Sequence, residues 1–133
     1  MPEWIDRYQD VPHDINVLAR KAIGVAIDVH KDLGPGLLEK PYQLLLAQRL
    51  ANSGHHCRIE AEIPLVMDGL HFEVAYRADL VVDDLLLLEI KTAEDIDMRH
   101  IYQVKTYLRI GGFPLGLLLN FGAPILESKR IVP

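Results

Sequence analysis

A single cysteine, Cys57, in 133 residues allows no internal disulfide and no cysteine-built zinc cluster, which suits a reducing compartment. Chemistry on paired thiols is excluded. No apolar run approaches the ~20 residues that a membrane-spanning helix needs; runs such as residues 85–88 and 115–119 are far shorter. The opening Met1-Pro2-Glu3-Trp4 has neither the basic start nor the apolar centre of a signal peptide, so a cytoplasmic location and no membrane partner are expected. Positive charge is also scarce: 14 Lys and Arg against 19 Asp and Glu leave a net charge of -5. A general long-range pull on nucleic acid is therefore not expected. A nuclease is not excluded, because a divalent ion held by carboxylates reverses the local sign. Internal repeats and low-complexity tracts are absent too.

What is present is a chain of 50% hydrophobic and 25% charged residues, the composition of one folded domain with one core. Residues 1–13 carry two prolines and no period, and read as an arm in which Trp4 and Ile5 dock on a domain spanning 14–133. Asp14 is the expected N-cap of a helix whose stripe is Ile15, Leu18, Ala22, Ala26, Val29 and Leu33, stopped at Gly34. A second helix is expected over residues 38–53, with Pro41 tolerable in its first turn and Gly54 closing it.

From Cys57 the period becomes two, with Cys57, Ile59, Ala61, Ile63 and Leu65 expected on the inner face; Pro64 marks a strand end or an edge position. Asp68-Gly69 is a hairpin turn signal leading into a strand over 70–82, and Asp83-Asp84 returns the chain through 85–91. A helix from Asp95 or Asp97 to Ile110, stopped by Gly111-Gly112, precedes an apolar strand over 114–120, and that crossover favours parallel pairing. The order is α-α-β-β-β-α-β, with a short last strand expected over 129–132. The expected fold class is α/β: a mixed four- to five-stranded sheet flanked by helices.

Within residues 76–91 the apolar strands carry three charged groups, Asp79, Glu89 and Lys91. Glu89 and Lys91, two apart, share a face. On composition alone this could be an ordinary ion pair at a strand end. If Asp83-Asp84 were a plain two-residue turn, Asp79 would face Leu88 and Glu89 would fall on the far side of the sheet. A site shared by Asp79 and Glu89 therefore requires an odd-length loop or a β-bulge.

The spacing Asp79, nine residues, Glu89, one residue, Lys91 resembles the PD-(D/E)xK nuclease superfamily, with Ala78 in place of the proline in its name. The segment Gly36-Leu37-Leu38-Glu39-Lys40-Pro41-Tyr42 resembles the GxxExxY branch, and Gln103 with Tyr107 resembles the Q-x-x-x-Y element of exonuclease-type members. The likeness covers roughly residues 15–132. It implies a restriction-endonuclease-like sandwich and a divalent-metal-dependent nuclease, with DNA favoured over RNA as partner. Asp79 and Glu89, with the Ile90 carbonyl, would hold Mg²⁺ or Mn²⁺, a hard ion suited to one or two carboxylates, water and phosphate. Glu39 would be a third acidic member, touching the metal directly or through water. Lys91 would orient the attacking water or pair with the scissile phosphate; an ammonium between carboxylates keeps its charge, which suits it less to pure general-base work. Gln103 and Tyr107 would position the metal-side groups or the substrate backbone.

Read as residues alone, Glu39 is a helix-start carboxylate, Tyr42 packs or hydrogen-bonds on its face, and Gln103 and Tyr107 are a polar-aromatic pair. His55-His56 cannot share a metal as strand neighbours, and His100, one turn before Gln103, is the histidine expected near the site. Arg77, Arg99, Lys105 and Arg109 could rim a nucleic-acid backbone. The alternative function is a catalytically silent nucleic-acid or protein binding module of the same fold. A homodimer or a partner protein would supply selectivity that so small a domain lacks.

Overall fold

In the computed structural model, which describes residues 10–133 and only the backbone of Val74 and Ala75, the helical stripe beginning at Ile15 folds as α1 (His13–Leu33). The expected docking of Trp4 and Ile5 lies outside the described residues. Pro12, not Asp14, is the N-cap of α1. The proline ring fixes φ near the helical value, and the Pro12 carbonyl already accepts the Asn16 N–H at 3.1 Å. Asp14 sits in the first turn, where its charge faces the positive end of the helix. Helix α2 (Glu39–Asn52) follows the Gly34–Gly36 break, with Pro41 in its first turn. Tyr42, fully buried, donates to the Gly34 carbonyl, accepts from the Leu37 N–H and stacks on Phe121. It thus fixes the loop that sets the start of α2.

The strands are β1 (Cys57–Met67), β2 (Leu70–Val82), β3 (Leu86–Lys91), β4 (Leu115–Asn120) and β5 (Glu127–Ile131), with α3 (Met98–Gly111) between β3 and β4. They lie in the order β1-β2-β3-β4-β5, antiparallel except for the parallel β3–β4 pair that the α3 crossover produces. Helices α1 and α2 cover one face over Leu80, Val82, Leu86, Leu88, Ile90, Leu117 and Leu119. Helix α3 covers the other over Ala78, Val81, Leu87 and Leu118, with Ile101, Val104 and Leu108 as its inner stripe. The result is the expected α/β sandwich, in which β3 and β4 are buried on both sides. No helix among the described residues is long and apolar enough to cross a membrane.

Two local features depart from simple alternation. Strand β1 runs past Pro64, so the proline marks an edge and a register shift rather than a strand end. The expected inner set of β1 also divides. Cys57 packs on the α1/α2 side, Ile59 is exposed, and Ala61 and Ile63 pack beneath α3. Between Ile59 and Ala61 lies Glu60, a non-glycine residue at φ 51°, which swaps the faces of the strand. The β1–β2 register places Glu60 across from Asp79. On β2 the swap falls at the same level: Leu80 belongs to the α1/α2 core, and Ala78 and Tyr76 to the α3 core.

Candidate active site

The turn after β2 holds three residues, since Val82 pairs with Leu86 across Asp83, Asp84 and Leu85. Asp83 and Asp84 have φ of 53° and 56°, and the Leu85 N–H closes the turn onto the Val82 carbonyl at 3.0 Å. This is the odd-length loop that a shared site requires. Its register, Leu80 with Leu88 and Val81 with Leu87, continues to set Asp79 opposite Glu89. The ladder itself stops there, and side chains take over its hydrogen bonds. The Asp79 N–H donates to Glu89 Oε1 at 3.0 Å, and the Ile90 N–H donates to Asp79 Oδ2 at 2.8 Å. The carboxylates thus sit in a fork between two diverging strands, each with one oxygen anchored to backbone and the other oxygen not so engaged.

Burial makes the fork electrostatically tense. Glu89 is 4% exposed, and its desolvation, reinforced by the Asp79 charge, pushes its carboxyl up to about 7. Burial also raises Asp79, partly opposed by the Ile90 N–H and the Lys91 ammonium. Lys91 ends β3 on the side of Glu89, where it lowers all three acids, Asp79, Glu89 and Glu39. Glu39 opens α2 at the rim. Partial burial raises it, and Lys91, Asp79 and His100 all act on it, so the helix start has carried this carboxylate to the site. Lys40 beside it pairs with Glu60, clamping α2 to the irregular point of β1.

Helix α3 borders the other side. Its N-terminus carries a capping box, in which Asp97 accepts the Arg99 N–H at 2.7 Å and His100 Nδ1 accepts the Asp97 N–H at 3.4 Å. Gln103 and His100 line an open groove of about 390 Å³ with Lys91 and Arg99. Tyr107, one turn on, stacks on Tyr76; burial and then the Glu89 charge push its hydroxyl up to about 12. The other basic candidates are elsewhere: Arg77 pairs with Glu62, and Arg109 lines a separate, largely apolar groove beside Leu65, Val66 and Met67.

Two residues of the site lacked a signal in their own right. Gln43, 4% exposed, donates its Nε2 to the Asp79 carbonyl at 2.9 Å, tying α2 to the fork. Its position four residues after Glu39, on the same helical face, is the clue the chain held. Tyr76 lies three residues before Asp79, which in a regular strand puts it on the opposite face. The swap at Asp79 brings it to the same side, where its buried hydroxyl lies against the Glu89 carboxylate. Burial and the adjacent Glu89 carboxylate raise it well above an ordinary tyrosine.

Among the described residues no three His, Cys, Asp or Glu side chains converge to hold a metal ion. The two carboxylates of the fork nevertheless fit a small hard cation. Glu89 is buried and Asp79 half-buried beside it, at a cost that a divalent charge would remove, and Mg²⁺ needs no more than one or two protein carboxylates.

Comparison with known proteins bears on the fold and the family. None of the curated proteins matches the chain. Of solved structures, the crystal structure of SSO0001 superposes with a TM-score of 0.55 at 21% identity, over 68% of this chain and 47% of that one. The likeness is one of fold, and the chain spans about half the length of that protein. The family model of the PD-(D/E)XK nuclease superfamily matches residues 16–131, from the first turns of α1 to the end of β5 and through every residue of the fork, and the chain belongs to that superfamily.

Proposed function

We propose that the protein is a divalent-metal-dependent nuclease of the GxxExxY branch, hydrolysing phosphodiester bonds, with DNA favoured over RNA. The observation that carries this reading is the fork: the buried Glu89 and half-buried Asp79 carboxylates, held side by side by backbone N–H groups, with a lysine two residues from Glu89. Asp79 and Glu89 hold the ion. The N–H and C=O of a strand residue point toward the same neighbour, so the Ile90 carbonyl also faces the fork, as its N–H does. When bound, Mg²⁺ or Mn²⁺ supplies a nucleophilic hydroxide near neutral pH and neutralises charge on the phosphate.

The chain's own residues do the rest. Lys91 sets its ammonium against the scissile phosphate or the attacking water, placing positive charge where negative charge develops. Glu39 would join the ion's surroundings directly or through water, since among the described residues no three acidic side chains converge. Gln103 and Tyr107 hold the substrate backbone on the α3 side. A second copy of the chain, or a partner protein, supplies selectivity.

The test is a Mn²⁺-supplemented cleavage assay on labelled single- and double-stranded DNA and RNA. Asp79→Ala, Glu89→Ala and Lys91→Ala are each expected to lose ~10²-fold or more in rate while remaining folded. Undiminished cleavage in the folded variants would discard the mechanism. Measurable binding with no turnover on any substrate would instead select the silent binding module.

A further inference from the structure

We propose that the groove lined by Lys91, Arg99, His100 and Gln103 is a subsite for the phosphodiester backbone beyond the scissile bond, with Arg99 and His100 as its phosphate ligands. The proposal rests on the nuclease reading of the adjacent fork. Neither Arg99 nor His100 belongs to the motif residues above. Each is placed by the first turn of α3 rather than by the strands.

The chemistry of the lining carries the inference. In a chain of net charge -5, the four side chains that line this groove are two cations, an imidazole and an amide, with no carboxylate. Lys91 joins the groove to the fork, so an anion filling the groove adjoins the group the fork would cleave. Residues 99, 100 and 103 follow at one- to four-residue steps on α3, which gathers them along one side of the helix.

Arg99 is suited to exchange partners. Its guanidinium bonds Asp97 through Nε and Nη2, at 3.1 Å for the shortest contact, yet its side chain is 87% exposed. An ion pair this exposed holds weakly, and the planar fork has further N–H donors to offer a phosphate. His100 is oriented by the cap. Because the Asp97 N–H donates to Nδ1, the neutral ring carries its proton on Nε2 and presents a donor. The volume of about 390 Å³ is at the small end of ligand sites and open along one side, as suits a segment of strand passing through.

A free phosphate or nucleotide shares this chemistry, and the test separates the two sources. Fluorescence anisotropy of labelled single-stranded DNA, duplex DNA and RNA would be measured in EDTA, where turnover is absent, over a series of salt concentrations. For the bound substrate, Arg99→Ala is expected to reduce the slope of log K against log salt by roughly 0.7–0.9, one phosphate contact, with its melting temperature unchanged. Arg99→Lys should restore most of the slope. Arg109→Ala, ten residues along the same helix and outside the groove, should leave it alone.

A wild-type slope in Arg99→Ala overturns the proposal, and so does an equal loss in Arg109→Ala. Displacement of the oligonucleotide by inorganic phosphate at the oligonucleotide's own concentration would mark a small-anion site and overturn it as well. Binding that depends on Arg99 in a protein that cleaves nothing would support the backbone subsite and overturn the nuclease reading alone.

Discussion

The β1–β2 and β2–β3 hairpins differ by one turn residue, and the difference decides where the chemistry can be. Between β1 and β2 the turn is Asp68-Gly69, two residues at φ 51° and 77°, joining Met67 directly to Leu70. Its tip is exposed at Val66, Met67 and Leu70, and nothing in the core depends on which way those side chains point. Between β2 and β3 the turn has a third residue, Leu85, and every side chain of β3 is assigned to its face by that count. Leu86, Leu88 and Ile90 face α1 and α2, whereas Leu87 and, by the same alternation, Glu89 and Lys91 face α3. The second turn is also tied down. Asp83 accepts from the His56 N–H and pairs with His55 Nδ1, both at 2.8 Å, and Asp84 accepts from Arg58 at 3.0 Å. A turn that sets the register of a fully buried strand is anchored by side chains, and a turn at a free tip is not.

Deleting Leu85 should break this comparison most severely. A two-residue turn would drive Glu89 and Lys91 into the α1/α2 core, at ~4 kcal/mol or more, a large share of an ordinary domain's stability. Inserting one glycine after Gly69 should cost ~1 kcal/mol or less, because lengthening a loop is cheap where no register hangs on it. Urea midpoints of the two variants check the contrast. Similar midpoints would mean that β3 tolerates either face.

The carboxylates at the base of the second hairpin predict a pH dependence. Glu89 is raised in the folded chain to about 7 from 4.5, so the folded state binds the extra proton between those values. Metal-free stability should therefore fall as pH rises from about 4.5 to 7, by at most ~3 kcal/mol, and level off above. Asp79, shifted the same way, adds to the trend. Thermal melts from pH 5 to 8 should show the decline in wild type, flattened in Glu89→Gln and opposed by Mn²⁺, whose stabilisation grows as the proton leaves. A melting temperature that instead rises through this range would contradict the tense fork.

A further effect concerns the anchor. Asp83→Ala removes two hydrogen bonds and leaves alanine at positive φ, for a loss of ~2 kcal/mol, and Asp83→Asn should lose about half of that because asparagine tolerates the conformation. Asp68→Asn at the free tip should stay within ~0.5 kcal/mol. Equal effects at the two turns would remove the distinction between them.

Much of this arrangement is legible along the chain. Helix stripes, the period-two strands and the glycine stops place every element within a few residues, because apolar periodicity reports directly which face is buried. The carboxylates and Lys91 stand out for the same reason, as charges in runs that are otherwise apolar. Counting faces requires either an odd-length turn or a β-bulge if Asp79 and Glu89 share a site, and the three-residue turn at Asp83–Leu85 is the first of these. Less legible are the start of α1 at Pro12 and the division of β1 at Glu60. A proline cap and a single positive φ leave no periodic trace.

The sequence by itself determined the fold class and the order of elements, since these follow from local propensity and alternation; that Asp79 and Glu89 act together was implied by the resemblance to the superfamily, not by alternation. Only the tertiary structure decided that Gln43 would grip the Asp79 carbonyl, that Tyr76 would cross to the side of Glu89, and that Arg99 and His100 would line a groove with Lys91. Those juxtapositions depend on how helices and strands far apart in the chain pack together. No spacing within one segment encodes the angle at which another segment meets it.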